Sequence, residues 1–106
     1  LNLISSKYNS FNSFNIFCYD FIGKSVIKFL EKNNKKLNKV VDDNSNLSNY
    51  KITEHKVIPF YKILKKDLQN STNFICHHNL NVFYRIKKRL VKIGGRKIKV
   101  FHFNGP

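Results

Sequence analysis

Acidic residues stop at Asp67, so the last 39 positions of this 106-residue chain carry no carboxylate side chain. The six acids that exist are scattered, with Asp42-Asp43 the only adjacent pair, which leaves no carboxylate pair arranged for acid–base chemistry. Cysteine is equally scarce. Cys18 and Cys76 lie 58 positions apart, whereas small secreted folds stapled by disulfides use four or more, so two thiols in a reducing compartment are expected. Only four glycines are present, and Gly94-Gly95 lacks both the spacing and the Lys-Ser/Thr ending of a phosphate-binding loop. No uninterrupted apolar run approaches the roughly 18 residues that a membrane span requires. Methionine is absent and the chain begins at Leu1, which points to a removed presequence or to a piece of a longer chain. The Ser-rich, acid-free stretch from Ser5 to Ser13 has the composition of the tail of an organelle transit segment, although Lys7 is its only cation.

Alanine is also missing, and three Arg stand against seventeen Lys and fifteen Asn, the usage of a genome rich in A and T. That bias inflates lysine, but codons for Asp and Glu tolerate it too, so it does not explain a long tail without an acid. The formal charge of +14 is uneven: residues 1–67 are net +6 and residues 68–106 net +8. Eight cations crowd into the span from Arg85 to Lys99: Arg85, Lys87, Lys88, Arg89, Lys92, Arg96, Lys97 and Lys99. Charge this dense repels itself unless a polyanion neutralises it, and a nucleic-acid backbone is the commonest such partner. These eight are the candidate RNA-binding residues. Phe83, Tyr84, Phe101 and Phe103 flank them, as rings that stack on bases flank the cationic grooves of single-strand binders. Phe83 is expected in the core, and Tyr84 and Phe103 suit either role.

At this length the chain is one domain with a small core, burying roughly 60 to 65% of its unfolded surface. Residues 1–22 read as an N-terminal arm or extension and residues 23–106 as a single basic domain with a flexible linker near 42–50. Phe11, Phe14, Phe17 and Phe21 recur at three to four, a helical spacing. Ser25 is the expected N-cap of a second helix with an apolar side of Val26, Ile27, Leu30, Leu37 and Val40. Pro59 opens a third, over 59–70, with Phe60, Ile63, Leu64 and Leu68 on its face. Asn79 caps a helix to about residue 89, after which Gly94-Gly95 turns a hairpin over 90–101 that pairs Val91 with Ile98. The alternative is a single helix running to Gly94, which places Arg85, Lys88, Arg89 and Lys92 on one outer side. The expected fold is therefore α+β and mainly helical, with a short C-terminal β-hairpin and an extended N-terminal arm.

Cys76-His77-His78 is the one local cluster of metal-ligand types, but adjacent histidines point apart, and the short spacers of structural zinc sites are missing, so no metal is expected. No cofactor and no enzymatic role are expected either, because no nucleophile, base and orienting group fall into a recognisable pattern. The features together suggest a structural subunit of an organellar ribosome, most simply mitochondrial and in the matrix, with a plastid as the other organelle. Its partners would be rRNA and neighbouring ribosomal proteins, with no small-molecule substrate and no transmembrane segment. An accessory subunit of a respiratory or ATP-synthase complex and a free-standing nucleic-acid-binding factor are the alternatives.

Overall fold

In the computed structural model, which describes residues 11–44, 51–52 and 55–103, the chain builds a six-stranded sheet covered on both faces. The elements run β1 (Ser13–Phe17), α1 (Phe21–Lys32), β2 (Lys36–Val41), β3 (Lys51–Ile52), β4 (His55–Ile58), a 3-10 turn (Phe60–Lys62), α2 (Lys65–Asn70), β5 (Thr72–Cys76), α3 (Leu80–Gly94) and β6 (Val100–Phe103). In space the strands lie in the order β3-β4-β2-β1-β5-β6. All neighbours are parallel except β3, which pairs antiparallel with β4. Chain order thus runs outward from β1 through β2 to β4, then returns to the other side of β1 for β5 and β6. This is the doubly wound arrangement, and its direction of winding reverses between β1 and β5.

The mainly helical expectation is overturned, and the reason lies in how buried parallel strands read. A strand covered on both faces is a short apolar run without alternation, which periodicity cannot separate from a helix. Phe14, Ile16 and Phe17 form such a run and are fully buried in the central strand, not on a helix face. Their even-numbered members face α1, where Ile22, Val26, Ile27 and Leu30 close over Leu37, Val40 and Phe74. Phe17 faces the other layer, with Val41, Ile75 and the α2 and α3 residues Leu68, Phe83, Ile86 and Leu90.

Three boundaries also move. Helix α1 starts at Asp20 instead of Ser25: the Asp20 Oδ1 accepts from the backbone N–H of Ile22 and Gly23 at 3.0 and 3.2 Å. It ends where Asn34 takes φ 65°, with the Lys35 N–H returning to the Leu30 carbonyl, so Leu37 and Val40 belong to β2. The helix expected over 59–70 is a 3-10 turn followed by a short α2, and Leu64 between them is half exposed. The expected hairpin over 90–101 does not exist. Helix α3 continues to Gly94, the Gly95 N–H bonds to the Val91 carbonyl at 2.8 Å with φ 93°, and residues 100–103 pair in parallel with β5. Gly94-Gly95 ends a helix here, because the apolar row Phe83, Ile86, Leu90 and Gly94 gives α3 a continuous stripe to bury.

A polar network crosses the amino-terminal half of the sheet. Asn15 and Asn73 are fully buried and bonded to each other, Nδ2 to Oδ1, at 2.8 Å. Asn15 also donates to the Asp67 carbonyl, and Asn73 to the carbonyls of Leu68 and Lys99, so α2 and the turn before β6 are tied to the central strands. Asn38 is the extra residue where the β1–β2 register shifts, and it donates to Asn15 Oδ1 at 2.9 Å. Residues 1–10, most of the 42–50 linker and residues 104–106 lie outside the described residues.

Candidate nucleic-acid interface

Every one of the eight tract cations is exposed. Because α3 buries Phe83, Ile86, Leu90 and Gly94 against the sheet, Arg85, Lys88, Arg89 and Lys92 fall on its outer side, at the three-and-four spacing of one helix face. Helix α3 starts beside the carboxyl ends of the strands and runs back towards their amino ends. Arg96, Lys97 and Lys99 follow in the turn that leads to β6 and extend the positive surface to that opposite end. There Lys97 and Lys99 border a hollow of about 280 Å³ whose other walls include Ser13, Ser71, Thr72 and Asn12, and no carboxylate lines it. Ammonium and hydroxyl donors around an acid-free hollow suit a phosphate oxygen.

One tract cation is already engaged. Arg89 pairs with Asp43 at 3.3 Å and lies over the Phe60 ring at 4.0 Å, while Asp43 Oδ1 accepts the Phe60 N–H at 2.8 Å. This links α3 to the segment after β2 and to the turn after β4. The Lys87 ammonium lies 5.9 Å from the centre of the Phe83 ring, on a side chain that is exposed. Of the flanking rings, Phe83 and Phe103 are core residues and Phe101 packs partly buried against the α1 layer. Tyr84 tilts against the Phe83 ring at 5.2 Å but is 57% exposed, which makes it the flanking ring open to a base.

At the carboxyl ends of the strands a second feature appears that the sequence did not single out. Cys18, Asp42, Asp43 and Phe60 face Val82, Arg85, Ile86 and Arg89 of α3 across a cleft of about 360 Å³. Cys18 sits at its rim with φ 77°, a left-handed conformation unusual for a residue with a side chain. Burial, reinforced by the carboxylates of Asp42, Asp20 and Asp43, pushes the Cys18 thiol up to about 12, so it is a neutral thiol at pH 7 and a poor nucleophile. Burial also raises Cys76. Asp42 accepts from the N–H of Tyr19 and of Asn44, so its oxygens serve the backbone of two loops. Asp20 in turn occupies the amino end of α1, and its carboxylate takes up the backbone N–H groups that such a helix end can offer to an anion.

Three of the four histidines, His77, His78 and His102, gather at the carboxyl ends of β5 and β6. His77 Nδ1 accepts the Asn79 N–H at 2.9 Å and its ring stacks on His78. His102 donates from Nε2 to the His77 carbonyl at 2.7 Å and stacks on Phe83 at 4.4 Å. These contacts brace the end of β5 against β6 and α3. Among the described residues no three His, Cys, Asp or Glu side chains are grouped to hold a metal ion, and no helix is long and apolar enough to cross a membrane.

No protein-family model, curated protein or solved structure matches this chain.

Proposed function

We propose that this protein binds structured RNA through the outer face of α3 and the turn that follows it, as a non-catalytic component of an organellar, most simply mitochondrial, ribosome. One observation carries the reading. Arg85, Lys87, Lys88, Lys92, Arg96, Lys97 and Lys99 are exposed on α3 and the turn that follows it, and among the described residues none of them forms an ion pair. A solvated helix face needs alternating charge to limit self-repulsion, whereas a phosphate-binding face needs uncompensated cations. The flanking Tyr84 adds a ring for an unpaired base.

The ribosomal part of the reading rests on the charge balance and the small size of the fold, and its partners are rRNA and adjoining proteins. Two measurements test it. If about four to six phosphates are contacted, log affinity for structured RNA falls with log salt at a slope of roughly −3 to −5. A slope near zero removes the RNA reading. Sedimentation of the native protein with ribosomal subunits supports the assembly role, and migration with membranes or alone removes it.

A further inference from the structure

The geometry points to a small-ligand site in the cleft between the carboxyl ends of β1 and β2 and the first turns of α3, built to take a phosphate monoester of mononucleotide size on Arg85. This inference does not rest on the RNA reading, although the two share Arg85, since it needs only the cleft and takes a different kind of ligand.

Position is the first argument. In a doubly wound sheet the loops on the two sides of the reversal point diverge, and the crevice they leave outside the carboxyl ends of the strands is where ligands bind. The cleft lies there: Cys18 follows β1, Asp43 follows β2, and the opposite wall is the helix that follows β5. Its volume of about 360 Å³ is in the range of small-molecule sites.

Charge is the second. Both carboxylates in the cleft are committed, Asp42 to the Tyr19 and Asn44 N–H groups and Asp43 to the Phe60 N–H and Arg89. Arg89 is held by that pair and by the Phe60 ring. Arg85, one turn earlier on the same side of α3, is exposed, lines the cleft and has no partner among the described residues. Arg85 is therefore the cation of the cleft left open to a ligand, while Asp42 keeps its negative charge on the far wall and turns its oxygens to backbone N–H groups. Two of the chain's three arginines stand in this cleft although lysine outnumbers arginine seventeen to three. A planar fork that can hold two oxygens of one phosphate is what arginine offers and lysine does not. Val82 and Ile86 supply the apolar wall for the organic part of the ligand.

Backbone strain is the third. Cys18 holds φ 77° at the rim, and the carbonyl of Cys18 lies where any Cβ on residue 23 would sit, at 2.5 Å. Left-handed non-glycine residues persist where surrounding structure enforces them and cluster at ligand sites.

The test is calorimetric titration of the full chain with AMP, adenosine and inorganic phosphate at fixed ionic strength. Saturable binding of AMP is expected, with adenosine and phosphate each weaker by roughly tenfold or more, as loss of a charge-assisted contact or of the apolar one implies. Arg85→Ala should weaken AMP by a similar factor, with an unchanged unfolding midpoint because the side chain is exposed. Lys97→Gln with Lys99→Gln should leave AMP binding as it was while lowering the salt slope for RNA. Equal AMP affinity in wild type and Arg85→Ala, or adenosine binding as well as AMP, overturns the proposal. Two sources offer this chemistry, a free mononucleotide and the phosphorylated end of an RNA. Displacement of AMP by a 5′-phosphorylated oligoribonucleotide but not by its 5′-hydroxyl form identifies the RNA end, and displacement by neither identifies the free nucleotide.

Discussion

Helices α1 and α3 do the same structural work and carry different surfaces. Each buries one apolar stripe on opposite faces of the same sheet, and each is capped at its amino end by a side chain, Asp20 for α1 and Asn79 for α3. Both were written in the same lysine-rich composition. Yet α1 carries Lys24, Lys28 and Lys32 with Glu31 among them, while α3 carries Arg85, Lys87, Lys88, Arg89 and Lys92 and no acid. Helix α1 thus shows what compositional bias alone does to an exposed helix in this protein. The excess on α3 over that internal reference is the part that calls for a ligand.

The largest contrast should come from the glycines that seat the two helices. A Cβ at Gly23 would lie 2.5 Å from the Cys18 carbonyl oxygen, a backbone atom that cannot rotate away. At Gly94 the nearest atoms are Ile98 Cγ2 at 2.8 Å and the buried Leu68 Cβ and Cδ1 at 3.0 and 3.2 Å, so a Cβ there needs α2 and the turn after α3 to draw back by a few tenths of an ångström. Gly23→Ala should cost about 3 kcal/mol and Gly94→Ala about 1 kcal/mol, read from urea unfolding. Equal losses would mean that the β1–α1 turn adapts and that the strain at Cys18 is not enforced.

Next in size is the charge comparison itself. Replacing Lys88, Lys92, Lys97 and Lys99 with Gln should reduce the salt slope of RNA binding by about one for each lost phosphate contact. Replacing Lys24, Lys28 and Lys32 should leave the slope unchanged. If the two sets act alike, RNA binding follows net charge and α3 has no special role.

Arg89 sharpens the comparison because its cross-link to Asp43 and Phe60 joins α3 to the opposite edge of the cleft. Its carboxylate and guanidinium are about half exposed, at 53 and 52%. An exposed ion pair and an exposed cation–π contact each contribute a fraction of a kcal/mol, so Arg89→Ala should destabilise by about 1 kcal/mol. Arg89→Lys should recover little of it, since an ammonium lacks the flat face that covers Phe60. A full loss of folding would show that the cross-link is a core element.

The smallest effect is confined to alkaline pH. The Cys18 thiol titrates near 9.0 when exposed and at about 12 in the fold, so above pH 9 the unfolded chain releases this proton first. Stability from this group is complete below pH 9 and falls as pH rises towards 12. Cys18→Ser should unfold with less loss over that window than wild type, compared as a difference so that the lysine titrations cancel. Identical pH profiles would mean that the thiol is open to solvent.

The basic tract was legible in the sequence because exposed charge needs no tertiary partner to be recognised. The presentation of Arg85, Lys88, Arg89 and Lys92 on one side of α3 also follows from spacing, once the helix is allowed to run to Gly94. The cleft was not legible. Cys18, Asp43, Phe60 and Arg85 come from four separate segments, and only the parallel order of the strands brings their carboxyl ends to one edge. Asn15, Asn38 and Asn73 were equally hidden, since in the sequence they are three of fifteen asparagines and only the fold pairs them with one another and with Asp67.

The sequence by itself determined where charge accumulates and which residues are apolar enough to form a core. Tertiary structure alone decided whether an apolar run such as Phe14, Ile16 and Phe17 is strand or helix, because spacing cannot report burial on both faces. It also decided the partner of β6. A local hairpin closes the shorter loop, but residues 100–103 pair in parallel with β5, leaving the apolar stripe of α3 buried over Phe17, Val41 and Ile75.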